Sequence, residues 1–464
     1  MLFNSIEFLL FFPIATLSYY LIPYRFRWIQ LLLLSCVFYA AFIPSYLLIL
    51  FLLILIDYSA GILIEKSAHK KRWLILSILS NIGLLAVFKY YDFFITNINE
   101  WSGSQLTLLH WALPIGLSFH TFQSLSYTIE VYRGKQKAVT HLGYYSLYVL
   151  FYPQLVAGPI ERPQHLLPQL FAHHRFSWQN IYEGLRLMAW GFFKKVVIAD
   201  RIGMYADSVF NAPQDITGIS GILAIFFFSI QIYADFSGYS DIALGAARCM
   251  GINLCINFNR PYESVNIKEF WKRWHISLSS WFREYVYIPL GGNRVSAWRH
   301  KLNLMITFAL SGFWHGASWN FMIWGLLHGG YTLTFESYHK RFSKAFLPKI
   351  ATWFITMLAV GFAWIFFRVD GWNNALVFIR NCFAFTTNHT GFWLGTAEMN
   401  FGQFNLALSL VLILYMLLVE KLTDPVLFRL NRVRVMDIAF FVAAIWLIIF
   451  LGVFNRSSFI YFQF

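Results

Sequence analysis

Charge is what this chain of 464 residues lacks: Asp, Glu, Lys and Arg together make up 12% of it, while 58% is hydrophobic. A soluble domain carries about twice that charge, roughly 25%. The mean hydropathy of +0.55 agrees, and apolar stretches run the whole length. A soluble globular protein is excluded, and a polytopic, all-α integral membrane protein is predicted. Cysteine is scarce as well. Cys36, Cys249, Cys255 and Cys382 form no CxxC pair, so nothing points to a disulfide framework or a metal site. A GxSxG elbow, a P-loop and an HExxH helix are all missing, which leaves serine-hydrolase, ATP-driven and zinc-peptidase chemistry without support.

What is present is about 11–12 candidate spans, counted wherever about 20 residues are mostly apolar. They lie near 5–22, 29–44, 46–64, 74–94, 109–130, 182–207, 218–247, 302–318, 319–337, 348–367, 405–420 and 436–454. Stretches 143–157 and 265–290 read as re-entrant or interfacial. The first stretch, FLLFFPIATLSYYLI, has neither a basic flank nor a small-residue cleavage site, so it reads as a retained span. The formal charge of +14 suggests nucleic acid at first sight. It is better explained by Lys and Arg held in cytoplasmic loops, where they could also help hold a coenzyme A phosphate. Such loops are Arg25/Arg27, Lys66 to Arg72, Arg133 to Lys137, Arg294 to Lys301, Lys340 to Lys344 and Arg429 to Arg434. An even number of crossings then puts both termini outside the cytoplasm. No internal repeat of the transporter kind is visible, and the chain reads as a single integral domain over residues 1–464.

The densest chemistry lies between Ser264 and Gly330. Asn266, with Glu269 three residues on, starts a helix that Pro289-Leu-Gly-Gly stops. Read as one helix from Ile267 to Tyr285, it aligns Trp271, Trp274, Leu278, Trp281 and Tyr285 in a stripe. Lys268, Lys272, His275 and Ser279 then form a polar strip beside it. An interfacial helix with His275 incidental explains this pattern slightly better than a helix lining a polar tunnel. His315 is the sharper signal. In Gly312-Phe-Trp-His-Gly316 the small residues allow a close neighbour, and a neutral imidazole there can take a proton from a hydroxyl and return it. His328, in LLHGG, reads as structural.

Other polar groups sit in apolar surroundings. Asp235 and Asp241 fall within one long span, where an acid costs about 2.5–3.5 kcal/mol unless it pairs or lines a cavity. Lys194, Lys195 and Arg248 are the partners at hand, which favours structural pairing. The segments 113–134 and 152–170 mix Gly, Pro and polar residues, as broken helices lining a cavity do. They make His120, Gln123, Glu130 and Gln154 candidate wall groups. At the far end, Tyr461 in NRSSFIYFQF is either an aromatic anchor or a hydroxyl that a base such as His315 could activate.

Assembled, these stretches resemble the membrane-bound O-acyltransferase family, in its bacterial branch that O-acetylates alginate and peptidoglycan. The motifs that carry the resemblance are MLFNSIEFLLFFP, LPIGLSFHTFQSLSYTIEVYRG, LVAGPIERP, DFSGYSDIALG, FWKRWHISLSSWFREYVYIPLGGNR, LSGFWHGASWNFMIWGLLHG and FIYFQF. They follow one another in the same order over nearly the whole chain. The resemblance implies helices around a central tunnel, with a core at about 110–340 and a C-terminal aromatic motif at 459–464. It implies that His315 is the active-site histidine and His275 the second motif histidine, and it makes Tyr461 a candidate acyl carrier. His120, Gln123, Gln154, Asp235, Asp241, Trp274, Trp314 and Asn320 become candidates to line the tunnel. No bound cofactor is implied. The donor would be acetyl-CoA or another acyl thioester, and the acceptor an envelope polysaccharide such as an alginate-like exopolysaccharide or peptidoglycan. An SGNH or esterase-like partner outside the bacterial inner membrane would complete the transfer, with membrane lipids around the chain and no nucleic acid. Two other functions fit the residues alone: a non-catalytic transporter or flippase of a lipid-linked sugar, and direct acylation of a protein or lipid.

Overall fold

Backbone polar groups in hydrocarbon have no water to bond, so a chain this apolar must satisfy them within each segment. Among the described residues every regular element is accordingly a helix. The computed structural model describes residues 1–155, 158–216, 218–341, 347–384, 401–423, 435–454 and 459–460. Five helical runs are long and apolar enough to cross a membrane: Tyr46–Lys66, Lys70–Ser102, Gly218–Cys249, Lys349–Arg368 and Gly402–Leu422. Ile6–Leu21 and Ile438–Leu451 are shorter apolar helices.

Several boundaries differ from the sequence expectation for local reasons. The expected span at 109–130 becomes helical only at Leu117–Tyr132, because Gly116 stands in the left-handed region with φ of 78°. Its conformation suits glycine, and a Cβ there would also lie 2.7 Å from the Leu155 carbonyl oxygen. The stretch at 182–207 is part of a longer helical run. Helix Trp178–Phe192 passes through π-helical turns at Phe193–Ala199 into helix Asp200–Asn211.

The largest correction concerns the helix expected from Ile267 to Tyr285. It is two short helices, Ile267–Arg273 and Ile276–Phe282, followed by π-helical turns at Arg283–Tyr287. The chain breaks at His275, whose φ of 42° and ψ of 56° are left-handed. Asn257 explains why the break is stable. Its carbonyl accepts the Ile276 N–H at 2.9 Å, and its side-chain oxygen accepts the Ser277 hydroxyl at 2.6 Å. The Ile276 bond, with the Ser277 N–H donated to the same side-chain oxygen at 3.4 Å, satisfies backbone donors that a new helix start leaves open. The expected stripe therefore does not exist as one helical face. The Asn266 start does form, with its side chain accepting the Glu269 N–H at 2.9 Å.

Two compact units result. One comprises Met1–Met188 with Tyr239–Cys255, the other Ala189–Gly238 with Ile256–Phe464. In the first, Asp57 is fully buried and accepts from Ser77 at 2.6 Å and from Asn81 at 2.9 and 3.0 Å. This ties helix Tyr46–Lys66 to helix Lys70–Leu85. In the second, helix Ala297–His315 turns back on helix Trp319–Arg341. Glycines let them touch: a Cβ on Gly312 would stand 3.1 Å from the Gly325 Cα.

Candidate functional site

In the second unit, three histidines share one aromatic cluster. His315 is the last residue of helix Ala297–His315. Its buried ring stands edge-on to Trp324 at 5.0 Å and to Phe367 at 5.3 Å, and lies 4.9 Å from Trp314. His275 meets the same Trp314 at 6.3 Å and Phe236 edge-on at 4.7 Å. His328, one helical stretch beyond His315, packs against Trp324 at 4.9 Å and Trp271 at 5.0 Å. Trp364 closes the set, 5.1 Å from Trp274 and 5.9 Å from Trp324. The edge-to-face pairs of the three histidines fix ring orientation as well as burying area.

Local sequence explains each placement. Gly316, directly after His315, continues in an extended conformation and leaves room for the Phe321 ring, which a Cβ there would meet at 2.1 Å. Asn320 then ties the next helix down by donating to the Val369 carbonyl at 2.7 Å. His275 sits in a backbone region that non-glycine residues seldom adopt, although histidine does so more readily than most. Such strain costs about 1–3 kcal/mol and persists where the surroundings enforce it. Here they do: His275 is completely buried between the helix ended by Trp274 and the Asn257 cap. Helix Ile267–Arg273 is held in turn by Lys268, whose ammonium lies 2.5 Å from Glu336.

Residues 459–460 also reach this cluster. Phe459 packs on Phe236 at 5.5 Å, and Phe236 is the ring that meets His275. The Ile460 N–H donates to Asp235 at 2.8 Å. Tyr461 itself lies outside the described residues.

The expected site residues thus divide. His275, His315, Trp274, Trp314, Asn320 and Asp235 belong to the second unit, and the rings of His275, His315 and Trp314 come together there. His120, Gln123, Gln154 and Asp241 belong to the first. There Gln123 and Gln154 both donate to the Tyr148 carbonyl, at 2.5 and 2.7 Å. His120 is buried 6.3 Å from the Tyr39 ring, and Asp241 is buried on helix Gly218–Cys249.

Sequence reasoning passed over Glu161, which is fully buried. It accepts the Cys255 N–H at 2.5 Å and faces His165 Nδ1 at 2.6 Å. Its hydrogen bond, and then its charge, push the half-exposed His165 imidazole above its ordinary pKa. The signal was an acid between two prolines in LVAGPIERP, since a charge in an apolar loop needs a partner.

Fold and site first define a class: a helical membrane protein carrying a histidine at a helix end inside an aromatic cage. The model described as MBOAT, membrane-bound O-acyltransferase family, matches residues 98–378, more than half of the chain, and the chain belongs to that family. It is an acyltransferase, and both motif histidines fall in the matched region. The chain is 37% identical to the peptidoglycan O-acetyltransferase of Helicobacter pylori over 82% of its own length and 79% of that protein. It is 38% identical to the "Probable alginate O-acetylase AlgI" of Pseudomonas aeruginosa, over 85% of this chain and 79% of that one. The teichoic acid D-alanyltransferase of Bacillus subtilis is 29% identical over 53% of this chain and 64% of its own.

Proposed function

We propose that this acyltransferase moves an acetyl group from a cytoplasmic thioester, acetyl-CoA, to the outer side of the inner membrane for O-acetylation of an envelope polysaccharide. The acceptor is of the kind named for its relatives, peptidoglycan or an alginate-like polymer. One integral domain, with its core at about 110–340, serves this reaction, and both termini face away from the cytoplasm. The observation that carries the reading is the convergence of His315, His275 and the Phe459 end of the chain on one buried ring cluster.

In this reading His315 takes the proton of the attacking hydroxyl, which is that of Tyr461 or of the acceptor. The oxygen attacks the thioester carbonyl, the C–S bond breaks, and the imidazolium returns the proton to the leaving thiolate. An O-acyl ester and a free thiol result. The position of His315 at a helix C-terminus supports this role, since the negative end of the dipole favours the positive charge that the ring gains in passing. An esterase-like partner outside the membrane would take the acyl group onward. His275 shapes and supports the site.

Membranes containing the protein, incubated with radiolabelled acetyl-CoA, should label protein or polymer, and His315→Ala should abolish the label. Label that persists in that variant sinks the base assignment. A flippase needs no base, so movement of an intact lipid-linked sugar without His315-dependent label would favour that alternative.

A further inference from the structure

The buried charges of the second unit are arranged around the end of the chain. Lys195, on the π-helical turns Phe193–Ala199, lies 2.8 Å from one Asp235 oxygen and 2.9 Å from Asp200. All three side chains are at most 4% exposed. The other Asp235 oxygen accepts the Ile460 N–H at 2.8 Å. Two further bonds hold the same end. Arg201 donates to the Leu451 carbonyl at 2.6 Å, and the Val453 N–H donates to the Val196 carbonyl at 2.8 Å. A helix has no backbone acceptor to spare in its interior, so a chain end docking on helix Gly218–Cys249 must find a side-chain oxygen. Asp235 supplies it, and the bond is charge-assisted. One residue later in the helix, Phe236 joins the Phe459 ring to His275.

We propose that Asp235, fixed by Lys195, is a positioning residue. It pins the Ile460 backbone so that Phe459 seats on Phe236 beside His275. The consequence for turnover rests on the reading that the tail takes part in transfer. The pin itself does not.

The test uses the full chain in membranes with radiolabelled acetyl-CoA. Ile460→Pro removes the N–H and leaves the buried charges untouched. Asp235→Asn keeps the shape and removes the charge, while Lys195 retains Asp200. Each should lower kcat at least tenfold with KM for acetyl-CoA within twofold of wild type, at normal abundance in the membrane. Ile460→Val keeps the N–H and trims only the side chain. A loss there equal to that of Ile460→Pro overturns the proposal, as does Ile460→Pro activity within twofold of wild type. Absence of both Ile460→Pro and Asp235→Asn proteins from the membrane also overturns it, because the contact would then hold the fold and not the tail. Tyr461→Phe, run in parallel, separates the two ideas. An active Tyr461→Phe beside an inactive Ile460→Pro refutes the relay and supports the pin, and the reverse pattern refutes the pin alone.

Discussion

The two units neutralise their most deeply buried carboxylates in different ways. In the first, Asp57 is met by a hydroxyl and an amide, and Glu161 by a backbone N–H and an imidazole. In the second, Asp235 is met by Lys195, and Glu420 by Lys194 at 3.7 Å and the Tyr233 hydroxyl. Neutral donors cost less to bury than a second charge, so the Asp57 solution is economical where only a fold must be held, and at Glu161 the titratable partner, His165, stays half-exposed. The lysine solution adds desolvation cost, and it occurs in the unit that also gathers three histidines among indoles. Polar groups there are kept oriented in apolar surroundings, the condition under which electrostatics act strongly in catalysis.

The largest effect is expected at His315. Changing it to Gln should reduce acyl transfer by about 10²–10⁴-fold, the usual worth of a positioned general base, while abundance and melting temperature stay near wild type. A large drop in melting temperature with proportionate loss of activity would instead make His315 a packing residue like those of the first unit. Glu161→Ala should do the opposite. It leaves the Cys255 N–H without its acceptor and empties a filled site, costing about 1–3 kcal/mol of stability. The folded fraction should keep its turnover number, which an assay normalised to folded protein will check.

A smaller effect separates backbone from side chain at His275. Glycine accepts a φ of 42° without penalty, whereas alanine pays roughly 1–2 kcal/mol in the left-handed region. His275→Gly should therefore melt above His275→Ala in detergent, although both lose the ring contact with Phe236. Equal melting temperatures would mean that the strain is not present in the folded protein.

Much of this was legible in the sequence. The hydropathy pattern located the long helices, and Gly312 and Gly316 announced close packing around His315. The Asn266 start was readable because its partner lies three residues away. The break at His275 was not, because it is stabilised by Asn257, eighteen positions upstream, and helical periodicity continues across it unchanged. The pairing of Asp235 with Lys195 could be suspected from depth alone. That its second oxygen holds residue 460 required the folded chain, since nothing in DFSGYSDIALG points 225 residues downstream.

The smallest effect tests the first unit at His165, a partner that can carry a charge. His165 is 48% exposed at the side chain, and its pKa is raised chiefly by the hydrogen bond it donates to Glu161. Because the folded value lies above the ordinary 6.5, protonated His165 stabilises the folded state fully below about pH 6.5. That contribution is lost as pH rises through the raised value. Exposure screens the pair, so the loss should stay under about 1 kcal/mol. The melting temperature of wild type should therefore exceed that of His165→Gln at pH 6, and the gap should narrow by pH 9. A gap that is constant or widens with pH would show that the contact holds a neutral imidazole, leaving Glu161 neutralised by the Cys255 N–H without a cation beside it.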